Sequence, residues 1–210
     1  MIKAALFDFG GVILTSPFDE FRRYEQAHGL PDDFLRGLNA TNPDSNAWAQ
    51  FERNEVSIDG FCNLYEDEAR AAGHEIDAHA VLALLAGQIR PQMVEAVRRC
   101  KERLKTACLT NNTVSFDDFP AEARATGRDD VLALFDLIVE SSKAGVRKPE
   151  PRFYEMACEM LDIDPTEAVF LDDLGVNLKP AKAMGMTTIK VVDPDEAIAD
   201  LERVVGFPLR

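Results

Sequence analysis

The chain has 210 residues, of which 46% are hydrophobic and 29% are charged, as in ordinary soluble globular proteins. This length favours one domain, or one domain with a large insertion, and provides enough apolar residues for a core without disulfide or metal staples. The 37 acidic residues outnumber the 23 basic ones, which gives a formal net charge of −14. Such a charge repels nucleic-acid backbones and anionic membrane surfaces, so we expect no nucleic-acid or membrane partner.

The cysteine pattern and the hydrophobic runs favour a cytoplasmic protein. None of the four cysteines belongs to a C-x-x-C pair or has zinc-ligand spacing, so we expect free thiols in a reducing compartment. The apolar run at the N-terminus stops at Asp8, which is shorter than a signal sequence. No apolar stretch reaches the roughly 18 residues that a membrane span needs.

The first predicted element is a strand over Ile2–Phe7, and the helices that follow it form an insertion. Phe18, Phe21 and Tyr24 have helical spacing before Gly29, and Trp48 and Phe51 indicate another helix. Ser57 and Asp77 are predicted helix N-caps, and a further short helix is expected to start at Pro31-Asp32-Asp33. We therefore predict a helical bundle over 16–89, inserted into a core domain of 1–15 and 90–210, with the aromatic residues in the bundle core.

After the insertion, apolar runs alternate with helical patterns. This alternation predicts an α/β fold, a Rossmann-like parallel sheet with helices on both faces, and the uniformly apolar runs are typical of strands covered on both sides. The predicted strands are Leu104–Leu109, Leu134–Val139, Ala168–Leu171 and Thr187–Val192. The predicted helices are Pro91–Arg103, Pro151–Leu161, Asn177–Met184 and Pro194–Val205.

Polar residues follow three of the predicted strands, where an open parallel sheet binds its ligands. They are Asp8, Thr110–Asn111 and Asp172–Asp173, and Lys148 joins them from a segment just before a helix. Clustered carboxylates repel one another unless a cation joins them, and oxygen ligands without His or Cys favour Mg²⁺. Together with Lys148 and a hydroxyl, Mg²⁺ makes a phosphate site in which Asp8 could attack phosphorus.

Four segments in this order resemble the motifs of the haloacid dehalogenase (HAD) superfamily. They are Phe7-Asp8-Phe9-Gly10-Gly11-Val12, Leu109-Thr110-Asn111, Lys148-Pro149 and Phe170-Leu171-Asp172-Asp173. The insertion resembles that family's helical type-one cap. The stretches Val169–Ala181 and Gly145–Pro151 are similar to the N-terminal phosphatase domain of soluble epoxide hydrolase.

The resemblance implies a role for each motif residue, in a phosphatase that acts on a small phosphorylated metabolite. Asp8 and Lys148 would be catalytic: Asp8 as nucleophile, and Lys148 to neutralise Asp8 and the transferring group. Thr110 and Asn111 would bind the phosphoryl oxygens, and Asn177 would support the substrate site or face the cap. Magnesium would be held by Asp8, the Gly10 carbonyl and Asp173, with Asp172 as a ligand directly or through water.

Gly10 departs from the phosphatase pattern, which has at this position an Asp that protonates the leaving group. Losing a general acid typically costs about 10²–10⁴ in rate. Two alternatives therefore stay open: a metal-independent 2-haloacid dehalogenase, and a catalytically weakened protein that binds phosphorylated ligands. We expect that Gly10 could adopt a positive φ, which would make substitution costly. Asn112 and Asp117–Asp118 are expected only to cap loops, and a homo-oligomer is possible.

Overall fold

A computed structural model of the chain describes residues 1–112 and 127–210; Asp117 and Asp118 lie outside these ranges. In the described part, five parallel strands form one sheet in the order β3-β2-β1-β4-β5. The α/β fold class predicted from the sequence is confirmed. The strands are β1 (Ala4–Phe7), β2 (Lys105–Thr110), β3 (Leu137–Glu140), β4 (Ala168–Asp172) and β5 (Thr187–Lys190).

Strand β3 begins three residues later than the sequence predicts. The segment before it forms a short helix, Arg128–Leu132, and the turn that follows it. Asp136 then fixes the start of the strand, because its Oδ2 accepts a hydrogen bond from Thr106 N at 2.8 Å. A local polar contact therefore decides a boundary that the apolar run Leu134–Val139 could not.

Helices cover both faces of the sheet. The helices of the core region are α6 (Pro91–Lys101), α7 (Arg128–Leu132), α8 (Ser141–Ala144), α9 (Pro151–Leu161), α10 (Gly175–Ala183) and α11 (Pro194–Val205). Helices α9 and α11 have the predicted bounds, and each starts with a proline, whose fixed φ suits the first helical position. Helices α6 and α11 pack on one hydrophobic cluster, and α9 and α10 pack on the other.

Helix α8 and the end of β2 are joined through Asn112. Its Oδ1 accepts hydrogen bonds from Ser142 N at 3.2 Å and Ser142 Oγ at 2.9 Å, and its Nδ2 donates to Glu140 Oε2 at 2.6 Å. These contacts hold the first turn of α8 against the sheet edge. The Asn112 side chain therefore makes loop contacts, as predicted from the sequence.

The segment between β1 and α6 is helical and has a hydrophobic cluster of its own. Trp48 and Phe51 are buried in this cluster, as expected for bundle core. Ser57 Oγ accepts from Gly60 N, and Asp77 Oδ1 accepts from Ala80 N, so both predicted N-caps are confirmed. The helices are α1 (Phe18–His28), α2 (Phe34–Ala40), α3 (Ala47–Glu52), α4 (Ile58–Ala71) and α5 (Ala78–Ala83). The domain boundaries at 15/16 and 89/90 stay a prediction.

The two connections between the insertion and the sheet run side by side. Thr15 N donates to Gln88 O and Arg90 N donates to Ile13 O, each at 2.8 Å, and Gln88 N donates to Thr15 Oγ1 at 2.9 Å. The chain therefore leaves and re-enters the sheet region at one place. None of the helices within 1–112 and 127–210 is both long and apolar enough to cross a membrane.

Candidate active site

Asp8 lies directly after β1, at the carboxyl edge of the sheet, and is only 7% exposed. Its Oδ1 accepts a hydrogen bond from Phe9 N at 2.6 Å and lies 2.8 Å from Lys148 Nζ. Burial raises the pKa of Asp8 above its ordinary value, while the Lys148 ammonium acts against this shift. One carboxylate oxygen is thus fixed by two donors, and the whole group is held in a low-dielectric position.

Lys148 is a buried ammonium between two carboxylates. It is 1% exposed, and its Nζ lies 2.8 Å from both Asp8 Oδ1 and Asp172 Oδ2. Although burial alone lowers the pKa of Lys148, Asp172 and Asp8 raise it above its ordinary value. A buried charge is tolerated only when it is paired, so these three side chains depend on one another.

Asp172, the last residue of β4, is fully buried and accepts hydrogen bonds from several donors. Besides Lys148, the backbone N of Leu174 donates to Oδ1 at 2.8 Å. The Asn177 amide lies 3.0 and 3.1 Å from its two oxygens. Asn177 is itself buried, and its carbonyl accepts from Tyr154 Oη at 2.7 Å. The Asn177 side chain therefore supports Asp172, and its predicted contact with substrate stays a prediction.

Asp173 completes a cluster of three carboxylates. One oxygen from each of Asp8, Asp172 and Asp173 lies within 4.8 Å of the others. Burial and the neighbouring Asp172 raise the pKa of Asp173 to about 6. Three converging carboxylates with no His or Cys are a donor set that suits Mg²⁺, so these residues fit the predicted metal.

The turn Phe9–Ile13 brings the backbone against this cluster. Gly10 has φ −70° and ψ 133°, and a Cβ at this position would meet nothing within 4 Å. The expectation of a positive φ at Gly10 is therefore wrong, because the positive φ occurs at Gly11. Gly11 has φ +75°, and a Cβ there would lie 2.3 Å from Asp173 Oδ2. The side chain of Arg90 donates to the Gly11 carbonyl at 2.9 Å and holds the turn.

Thr110 is the last residue of β2, and Asn111 follows it. Thr110 is buried as the last residue of the strand. The Asn111 side chain binds the backbone of Lys148 at two points: Oδ1 accepts from Lys148 N and Nδ2 donates to Lys148 O, each at 2.9 Å. This side chain thus fixes the Lys148 peptide, while the predicted contacts of both residues with phosphoryl oxygens stay predictions.

The sequence-based set lacks Glu52 and Arg147, which are charged and lie near the site, as well as Arg90. Glu52, at the end of α3 in the insertion, accepts from Asn111 Nδ2 at 3.1 Å, and its Oε2 lies 2.7 Å from Arg147 Nε. Burial raises the pKa of Glu52, and Arg147 and Lys148 oppose the shift. Arg147 precedes the Lys148 motif and could be suspected from it, whereas nothing in the sequence around Glu52 distinguishes it from other acidic helix residues.

The sequence matches a known protein family over most of its length. The sequence profile of the family described as haloacid dehalogenase-like hydrolase matches residues 2–185. The chain belongs to this family of hydrolases. The resemblance seen in the four motifs is thus confirmed over most of the chain.

The haloacid dehalogenase-like chain is also similar to named proteins. It is 33% identical over 220 residues to mouse bifunctional epoxide hydrolase 2, covering 99% of the chain and 40% of that protein. The chain thus spans about two-fifths of the length of this relative. It is 28% identical to sesquiterpene phosphatase astK of Aspergillus oryzae, covering 97% of each.

Solved structures share the fold. A HAD family enzyme from Bacteroides thetaiotaomicron, in complex with magnesium and inorganic phosphate, superposes with a TM-score of 0.60 at 20% identity. The match covers 90% of this chain and 94% of that one. At this identity the likeness establishes the HAD fold.

Proposed function

We propose that this hydrolase is a Mg²⁺-dependent phosphatase for a small phosphorylated metabolite, acting through an aspartyl-phosphate on Asp8. The observation that carries the proposal is the Lys148 ammonium, held 2.8 Å from Asp8 and from Asp172 beside the Asp173 carboxylate. An ammonium and a cluster of oxygen ligands at a buried carboxylate favour attack on an anionic phosphoryl group. The relative astK is named as a phosphatase, and the Bacteroides enzyme binds magnesium and inorganic phosphate; both agree with this chemistry.

Asp8 is the nucleophile in this proposal. Its Oδ1 is held by Phe9 N and Lys148, so Oδ2 is the oxygen left to form the bond to phosphorus. The leaving oxygen departs with the electron pair of its bond to phosphorus, and water then hydrolyses the aspartyl-phosphate to phosphate. Lys148 balances the negative charge on Asp8 and on the transferring group.

Mg²⁺ would be held by Asp8 and Asp173 with the Gly10 carbonyl, and would withdraw charge from the phosphoryl oxygens. Asp172 would contribute directly or through water, and its contact with Lys148 at 2.8 Å supports a further role in orienting the ammonium. Thr110 would face the phosphoryl group with Asn177 behind Asp172, and Asn111 would do so through its backbone, because its side chain already binds Lys148 and Glu52. A dehalogenase reading needs no metal and leaves the three-carboxylate cluster unexplained.

The substrate-selecting part would be the insertion. We propose that 16–89 form a cap over a core of 1–15 and 90–210, because the helices have their own hydrophobic cluster and connect through two adjacent segments. The four cysteines are free and buried, which supports a cytoplasmic protein. A small phosphorylated molecule is the partner that this charged site would take.

The test is a panel of phosphate monoesters and acyl phosphates, assayed with Mg²⁺ and with a chelator. We expect phosphate release that the chelator abolishes and Mg²⁺ restores. Asp8→Asn should fold normally and release no phosphate, since it keeps the shape of the side chain and loses the nucleophile. Hydrolysis of 2-haloacids that is unaffected by chelator would contradict the proposal and establish the dehalogenase alternative.

A further inference from the structure

Glu52 is one of the residues through which the insertion contacts the carboxyl edge of the sheet region. It is the last residue of α3, and its side chain is only 14% exposed. One oxygen, Oε2, accepts a hydrogen bond from Asn111 Nδ2 at 3.1 Å and forms an ion pair with Arg147 Nε at 2.7 Å. A carboxylate that is largely removed from water is retained at such a cost only when its partners are well placed.

Both partners of Glu52 act on the Lys148 peptide. Asn111 binds the N–H and the carbonyl of Lys148 with one side chain, at 2.9 Å each. Arg147 is the residue before Lys148, and its Nη1 also reaches the Pro43 carbonyl in the insertion at 3.1 Å. Glu52 therefore contacts the Lys148 segment through two independent routes.

Helix α3 is itself rigidly placed, so Glu52 is presented by a fixed element. The Asn46 side chain caps the helix by accepting from Ala49 N at 2.8 Å, and Ala47 N donates to Glu68 Oε1 at 2.7 Å. Trp48 and Phe51 anchor the same helix in the insertion's hydrophobic cluster. The position of the Glu52 carboxylate thus depends on the position of the insertion.

We propose that Glu52 is a positioning residue for Lys148: it orients Asn111 and Arg147 so that the Lys148 ammonium is set between Asp8 and Asp172 only while the insertion is docked. The kinetic part of this inference rests on the proposed phosphatase function. The structural part concerns the Lys148 peptide and stands without it. In this arrangement the acidic cap residue links substrate enclosure to the completion of the charged site.

The experiment compares Glu52→Ala, Glu52→Gln and a control, Glu55→Gln. Glu55 is an exposed carboxylate near the same helix, ion-paired with Arg53, so its substitution removes one charge without touching Asn111 or Arg147. Steady-state kinetics on acetyl phosphate with Mg²⁺ give kcat and KM. Amide hydrogen exchange at Lys148, whose N–H is bonded to Asn111 Oδ1, reports its anchoring without any need for activity.

We expect Glu52→Ala to lower kcat about 10-fold or more with KM changed less than about 2-fold, because a misplaced catalytic group loses rate rather than ground-state binding. Lys148 amide exchange should accelerate in parallel. Glu52→Gln keeps an acceptor for Asn111 and should restore most of kcat, within about 3-fold of the parent. The Glu55→Gln control should match the parent in both measurements.

Three results would overturn the inference. The first is an unchanged Lys148 exchange rate in Glu52→Ala; the second is a rise in KM at constant kcat, which would make Glu52 a substrate contact. The third, should Glu52→Ala fail to fold, is a Glu52→Leu variant, similar in size but without an acceptor, with exchange and kcat equal to the parent. If the parent itself releases no phosphate from any ester, the proposed function fails, while Lys148 exchange still decides the role of Glu52.

Discussion

Three carboxylates surround a single buried ammonium, and this excess of negative charge explains the behaviour of each residue in the site. Lys148 pairs with Asp8 and Asp172 at 2.8 Å, whereas the side-chain contact of Asp173 with Ser16 Oγ is long, at 3.5 Å. A backbone hydrogen bond and the charges of Lys148 and Arg90 offset the burial of Asp173 only in part, so its pKa stays raised. Its ionised form is disfavoured until a cation arrives.

The raised pKa of Asp173 gives a stability prediction for the metal-free protein. A carboxyl with a folded pKa of about 6 and an ordinary value of 3.8 binds its proton more tightly when folded. Its contribution therefore falls as pH rises from 3.8 to about 6. At neutral pH, Asp173→Asn should be more stable than the parent by up to about 3 kcal/mol, and the difference should vanish near pH ~4.

Denaturant unfolding across this pH range, in chelator and in Mg²⁺, checks the prediction. With Mg²⁺ the order should reverse, because the parent gains binding energy that the variant lacks. A variant that is less stable than the parent at neutral pH in chelator would show that Asp173 is compensated by contacts other than a metal.

Gly10 gives the second prediction at this scale. Without an acid beside Asp8, phosphorylation of Asp8 should slow steeply as the pKa of the leaving group rises. Gly10 has an ordinary φ of −70° and open space around it, so Gly10→Asp should fit. It should accelerate alkyl phosphates about 100-fold, the scale of general acid catalysis, and acyl phosphates little.

The measurement is a series of esters assayed with the parent, Gly10→Asp and Gly10→Asn. The Asn variant matches Asp in size and has no proton to give, so it should keep the steep dependence. A flat dependence on leaving-group pKa in the parent would mean that another residue already donates the proton.

At the scale of elements, the turn Phe9–Ile13 carries the site's strictest backbone requirement. Gly10 and Gly11 are adjacent residues of the same type. Of the two, only Gly11 has a positive φ and a backbone that lies against Asp173. The two glycines therefore form a matched pair for a test of this turn.

We expect Gly11→Ala to destabilise the protein by about 1–3 kcal/mol, because it combines a disfavoured φ with a clash at Asp173. It should also weaken Mg²⁺ binding, since Asp173 must move. Gly10→Ala should stay within about 0.5 kcal/mol of the parent. Denaturant unfolding and calorimetric Mg²⁺ titration compare the two; equal losses would contradict the assignment of the strain to Gly11.

At the scale of the whole molecule, two connecting segments that run side by side join the sheet region to the helical insertion. Ile13–Thr15 and Gln88–Arg90 exchange backbone hydrogen bonds as adjacent antiparallel strands do. Each region has its own hydrophobic clusters. This is the arrangement expected when a domain is inserted into another without interrupting its core.

A shortened chain tests the domain boundaries. Replacing 16–87 by Asn-Gly should close Thr15 and Gln88 into a two-residue hairpin, because Thr15 N and Gln88 O are already 2.8 Å apart. We expect cooperative unfolding with the sheet signal retained in circular dichroism and faster exchange at Lys148. A version with a longer Gly-Ser connection serves as control, and non-cooperative unfolding of both would contradict the division.

The sequence by itself determined the features that depend on local pattern. The bounds of α9 and α11 follow from proline starts and helical spacing, and the parallel sheet follows from apolar runs that alternate with helices. The proximity of Asp8 and Asp172 also follows, because strand ends of a parallel sheet meet at one edge. Lys148 lies between α8 and α9, and the resemblance of its segment to a family motif placed it with them.

Only the tertiary structure decided which groups each side chain contacts. Asn111 binds the Lys148 backbone, and Asn177 donates to Asp172. Glu52 accepts a hydrogen bond from Asn111, which is 59 residues away in sequence. The tertiary structure also located the positive φ at Gly11 rather than Gly10. Hydrogen-bond partners and backbone strain depend on distances between segments that are remote in sequence, and these distances exist only once the sheet and the insertion have packed.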